Sequence, residues 1–172
     1  MHWGVIVRES IAIGALLSAI LTVMILVSLK INKEMWLQDY PPDVKARWGP
    51  MSEKAKRQRL VFAVPFFGLL IGAMIYAVFR LEAALGTPPS LFAVFVSIGI
   101  VLGVFNLVDA VIIDWLILLV LWPGLAVLPG TEGMAGYRDM RLWTINLFKG
   151  FILAPIAGAL VAAIVFVFRL FG

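Results

Sequence analysis

Apolar positions along this chain fall into four long runs, and the polar positions gather between them. The first run is Ile11 to Val27, reaching back to Trp3 and on to Ile31. The second is Leu60 to Phe79, the third Leu91 to Leu121, and the fourth Leu142 to Phe171. A helix that crosses a membrane needs about 20 apolar residues at about 1.5 Å each, and every run supplies them. The pattern predicts an all-α fold: a polytopic four-transmembrane-helix bundle, one integral membrane domain over residues 1–172, with spans at about 5–30, 59–81, 90–122 and 142–170. The first run lacks a basic leading region and is too long for a secretory h-region, so it reads as a retained helix.

The third run is the longest, and a division into two spans near Asp109 would need a turn there. Residues 104–115 contain no Gly or Pro, and a turn at that depth would leave backbone groups unpaired in lipid. The run therefore reads as one helix ending near Trp122-Pro123-Gly124, with residues 125–129 at the interface or dipping back.

Charge fixes the expected orientation. Eleven of the fourteen Lys and Arg residues lie in segments 30–59 and 123–149; only Arg8, Arg80 and Arg169 lie elsewhere. The positive-inside rule then places both loops in the cytoplasm and both termini outside (N-out/C-out), in a cell membrane, the inner one where there are two. Trp36, Trp48, Trp115, Trp122 and Trp143 fall near the same boundary, the depth that tryptophan prefers. Composition adds exclusions. The chain is 63% hydrophobic and 14% charged, against about 25% charged in a soluble domain. It has no cysteine, and its one histidine is His2. Disulfides, histidine- or cysteine-ligated metal centres and Ser-His-Asp catalysis are thereby excluded. No cofactor, no metal and no nucleic-acid partner is expected; membrane lipids are, together with further copies of the chain or another membrane protein.

Small residues four apart let membrane helices approach closely, and each run carries a set: Gly14/Ser18, Gly68/Gly72, Gly99/Gly103 and Ala154/Gly158/Ala162. Pro65 and Pro155 should bend the second and fourth helices. In the first loop, Tyr40-Pro41-Pro42 is expected to be extended. A short helix should open at Pro42-Asp43 and end at Gly49-Pro50, and Ser52 should cap a helix that runs on into the second span. Lys54, Lys56, Arg57 and Arg59 at its start suit anionic lipid headgroups. The second loop holds Gly130, Gly133 and Gly136. It reads as a mobile interfacial turn or as a binding loop using Thr131, Glu132 or Arg138.

The sharpest chemical signal is the trio Asn106, Asp109 and Asp114 inside the third run. Acids at membrane depth mark functional sites or buried pairs. At about 100° per residue Asp109 lies about 60° to one side of Asn106 and Asp114 about 80° to the other, within one arc of about 140°. Candidate partners are Arg57, Arg59, Arg138 and Arg141. Three functions follow. One is a structural or accessory membrane protein, oligomeric, whose loops contact lipid or a partner. A second is a small proton- or cation-coupled transporter or channel using the Asn106/Asp109/Asp114 face. The third is an enzyme acting on a lipid-linked substrate at the cytoplasmic face, with Asp109, Asp114 and Glu132 as acid, base or oxygen ligands. Residues 15–27 carry no acid, unlike the first helix of small multidrug transporters, and the Asp-rich motif of membrane alcohol phosphotransferases is missing.

Overall fold

The computed structural model describes residues 2–171, with Leu142 and Trp143 described by backbone alone; the boundary role expected of the Trp143 side chain lies outside the described residues. The described residues are helical, with no strand. Helix α1 spans Trp3–Ile31, the short α2 Pro42–Trp48, α3 Glu53–Leu85, α4 Leu91–Val108 and α5 Met140–Phe171. A 3₁₀ segment, Lys33–Asp39, links α1 to α2. Helices α1, α3 and α5, together with α4 and its continuation to Leu121, are long and apolar enough to span a membrane.

Local chemistry sets most of the ends. The Ser52 side chain accepts a hydrogen bond from the Ala55 N–H and starts α3; Ser90 accepts from the Ala93 N–H and starts α4. Gly86, at φ +68°, closes α3 in the left-handed region that an L side chain resists. Gly49, at φ +89°, closes α2. Both α3 and α5 continue through their prolines.

The third run is one continuous helix, as expected, but it changes character. From Asp109 to Leu121 the backbone bonds i→i+5, a wide π-helix in place of an α-helix. Its closing bond runs from the Trp122 N–H to the Ile117 carbonyl at 2.7 Å. Such turns are rare and are frequently found at functional sites.

Helix α4 is the centre of the assembly. It packs along α5 on one side and α1 on the other, while α3 leans on α1 and α4 and has no extensive contact with α5. The main core is where Ile13, Leu17 and Leu21 of α1 meet Val94, Ile98 and Val101 of α4 and Ala77 of α3. Burial follows this layout. In the most apolar stretches of α3 and α5 only 6% and 11% of residues are buried, against 39% and 28% in α1 and α4, so α3 and α5 present long apolar faces outward. At the end bearing the termini, Ser10 and Ser97 share a buried hydrogen bond of 2.7 Å. Glu9 there pairs with Arg80 at 2.7 Å and with Arg8 at 3.1 Å. The two long loops sit together at the other end.

Not every small residue marks a close approach. A Cβ on Gly14 would lie 2.8 Å from Val104 Cβ and 2.9 Å from the Val101 carbonyl, and one on Gly158 would lie 2.7 Å from the Phe95 carbonyl. These two glycines let α1 and α5 approach the α4 backbone. Gly68, Gly72 and Gly99 have nothing within 4 Å of that position, and Gly103 has only an ordinary contact; the expectation of one tight pair per helix holds only where a helix meets α4. Gly14→Ala and Gly158→Ala should each destabilise the fold in detergent by about 1–3 kcal/mol through overpacking. Gly68→Ala and Gly72→Ala should leave unfolding by denaturant unchanged or slightly improved, since Ala is the better helix former.

Candidate functional site

The two loops form one body. The 3₁₀ segment begins at Asn32, whose side chain accepts from the Glu34 N–H and donates to Gln58 at 2.7 Å. Glu34 in turn receives the Ser52 N–H and hydroxyl at 2.6 and 2.7 Å. Burial works against the Glu34 charge, but those donors and Trp48 outweigh it and hold the carboxyl below the usual glutamate range. The first loop then reaches the second. Tyr40 Oη donates to the Ala126 carbonyl, and its ring meets Tyr137 edge-on, the centroids 6.0 Å apart. Asp43 accepts the Gly136 N–H at 3.0 Å. Lys33 Nζ donates to the carbonyls of Gly124 and Val127 at 2.6 and 3.0 Å. Leu37, Tyr40, Val44 and Leu128 make a small apolar core beneath these bonds.

Glycine is required here for two reasons. Gly130 and Gly133 take φ of +78° and +76°, and a Cβ on Gly136 would collide with Asp43 and Pro41. The second loop is therefore pinned at several points rather than held at its ends alone. Thr131 is buried and spends its hydroxyl on the Leu128 carbonyl and Tyr137 Oη. Glu132 is exposed and accepts the Gly130 N–H; a bond from its own backbone N–H, and after it the Gly130 bond, hold its carboxyl below the usual range.

Under this clasp lies a cavity of about 590 Å³. Asp109 and Asp114 enter it from the π-helix and Asp39 from the 3₁₀ segment. Ile25 and Leu29 of α1 and Leu118 of the π-helix give it an apolar side, Trp36, Tyr40 and Tyr137 an aromatic one, and Arg138 and Asn146 stand exposed at its edge. None of the three aspartates has a hydrogen-bonding or ion-pair partner among the described residues. They do not converge on one point where a metal ion could sit. Loss of water at the Asp39 carboxyl raises it above the ordinary aspartate range, against the pull of Arg59 and Lys45. Burial, with Tyr137 and Asp39 beside it, pushes the Tyr40 phenol well up, which keeps it a neutral donor.

The residues singled out in the sequence thus separate. Asp109, Asp114 and Arg138 share the cavity; Asn106 does not line it. The Asn106 amide donates to the Leu147 carbonyl at 3.0 Å and packs where a Cβ on Gly150 would collide with it, so it ties α4 to α5. Thr131 and Glu132 are used inside their own loop. Arg57, Arg59, Arg138 and Arg141 form no ion pair with Asp109 or Asp114. Lys56 pairs with Glu53 at 2.7 Å. Lys54 and Arg57 flank a shallow groove with Gln58, and Arg59 keeps a buried, unpartnered Nη1. Sequence reasoning missed Asp39, Asn146 and the aromatic wall. The nearest signal was the Tyr40-Pro41-Pro42 stretch and the glycines of the second loop, whose segments dock through Tyr40 on Ala126 and Tyr137 and through Asp43 on Gly136.

No family model matches this chain, and comparisons with curated proteins and with solved structures returned no match.

Two expectations test the clasp. Tyr137→Phe removes the acceptor for the Leu128 N–H and the partner of Thr131; it should cost about 1 kcal/mol and speed proteolysis of the 123–139 loop. Asp39 is raised in the folded protein, so its protonated form favours folding. That contribution is full below the ordinary aspartate value of about 3.9 and is lost as pH rises through the raised one. Wild-type stability relative to Asp39→Asn should therefore fall as pH increases from about 4, measured by denaturant unfolding in detergent; a difference that stays flat with pH would contradict it.

Proposed function

We propose that this is a multi-pass membrane protein that binds an amine-bearing amphiphile in the cavity beneath its two loops. The loops lie on the cytoplasmic side, both termini lie outside, and residues 1–172 act as one membrane domain. The observation that carries the reading is the set of three carboxylates that form no ion pair among the described residues, sharing one cavity with an apolar wall. Unpaired acids in a low-dielectric site are costly, and intramembrane acids mark ligand or ion paths by default. A volume of about 590 Å³ sits within the usual range of small-molecule sites, about 300–1,000 Å³. An ammonium group placed among Asp39, Asp109 and Asp114 would supply the missing charge, and an alkyl body would lie against Ile25, Leu29 and Leu118.

The orientation rests on the eleven basic residues of the two loop segments. Lys54, Lys56 and Arg57, exposed on the first turns of α3, are placed to meet anionic headgroups there. An oligomeric accessory protein is a second reading, favoured by α3: Gly68 and Gly72 touch nothing within the chain, and Val61, Val64 and Phe67 are largely exposed, a face open to a second copy.

The test is binding of dodecylamine, with dodecanol as the uncharged match, to the purified protein in nanodiscs. The amine should bind and the alcohol should not, and Asp109→Asn with Asp114→Asn should weaken the amine at least about tenfold, about 1.4 kcal/mol. Equal binding of amine and alcohol, or no effect of the double substitution, would overturn the proposal.

A further inference from the structure

The cavity carries opposite charges that do not meet. Arg138 lines the same space as Asp39, Asp109 and Asp114, yet it forms no ion pair with any of them among the described residues. Free side chains of opposite sign in such a site would close on one another, because their attraction grows as water is excluded. Arg138 instead stands exposed at the edge of the cavity. Asp109 and Asp114 stand on a continuous helix. Arg138 ends a 3₁₀ turn, Ala135–Arg138, anchored by the Gly136 N–H on Asp43 and by Tyr137 Oη on Thr131 and the Leu128 N–H. The cavity thus presents carboxylates and a guanidinium that are not bonded to one another.

Resting on the cation-site reading above, we infer that the ligand is a zwitterion, the primary amine and phosphate of an aminophospholipid headgroup. The ammonium would lie among the aspartates, which accept its N–H bonds, and the phosphate against the Arg138 guanidinium, whose paired donors match phosphate oxygens, with the Asn146 amide beside it. The primary amine is preferred to a quaternary one because the three carboxylates accept no hydrogen bond from the described residues, and a quaternary ammonium has no N–H to give them. The cavity, at about 590 Å³, holds a headgroup but not two acyl chains, which would extend from it into the bilayer.

The experiment is native mass spectrometry of the full chain in mild detergent, titrated with phosphatidylethanolamine, phosphatidylcholine, phosphatidylglycerol or dodecylamine. Phosphatidylethanolamine should bind at least tenfold more tightly than the other two phospholipids, and Arg138→Gln should abolish that preference while dodecylamine binding persists, which also reports that the variant is folded. Equal retention of phosphatidylcholine, or an unchanged preference in Arg138→Gln, would overturn the inference and leave the cation site standing. Failure of dodecylamine to bind wild type would remove both. Competition with O-phosphoethanolamine identifies the source of the zwitterion: displacement at similar concentration assigns the site to the soluble ester, and no displacement assigns it to the lipid.

Discussion

In a hydrocarbon slab every backbone N–H and C=O must be bonded within the chain, so a helix there cannot change the direction of its side chains by breaking. It can change only its bonding register. The third helix does this at Asp109, where i→i+4 gives way to i→i+5. In an α-helix, positions 109 and 114 would lie about 140° apart at about 100° per residue. Bonded i→i+5, they become neighbours on successive turns, and both carboxylates enter one cavity. Asn106 precedes the change, keeps its α-helical direction and serves the contact with α5 instead.

The same helix receives its neighbours by different means at different heights. Gly14 brings α1 against its backbone at Val101–Val104 and Gly158 brings α5 against it at Phe95, and the Ser10–Ser97 bond fixes α1 at the end bearing the termini. At the loop end the fixing is done by polar bonds between segments about ninety residues apart, as in Asp43 with Gly136 and Lys33 with Gly124 and Val127. These bonds hold the roof of the cavity, so the placement of Arg138 and Asp39 depends on the two loops folding as one body.

The four long helices were legible in the sequence because their signal is local: run length, Ser52 as a cap, Gly49-Pro50 as a stop. The short helix from Pro42 and the single third helix could be read for the same reason. The site was legible only in part. Asp109 and Asp114 stood out as acids in an apolar run, but their shared direction depends on a π-register that no local residue announces. Asp39 looked like one more polar loop residue, and Asn146 like one at the start of a span, because only long-range docking turns them toward the cavity. The small-residue rule overreached at Gly68, Gly72 and Gly99, since spacing along a helix does not say which face meets a neighbour.

The distribution of cations is the last step in the argument. The chain has fourteen Lys and Arg residues, and several lie near the cavity, so neutralising three aspartates internally would have been easy. Lys33 is instead committed to two carbonyls of the opposite loop, Lys45 donates to the Gln38 carbonyl, and Arg138 is held out at the edge. Arg59, the cation that acts most strongly on Asp39, makes no ion pair with it and keeps a buried, unpartnered Nη1. An arrangement that spends Lys33 and Lys45 on backbone carbonyls and leaves three acids without an ion pair gains no salt-bridge stability from those acids. That distribution is what a binding site requires, and it is the physical reason for reading the cavity as the place where this protein meets its ligand.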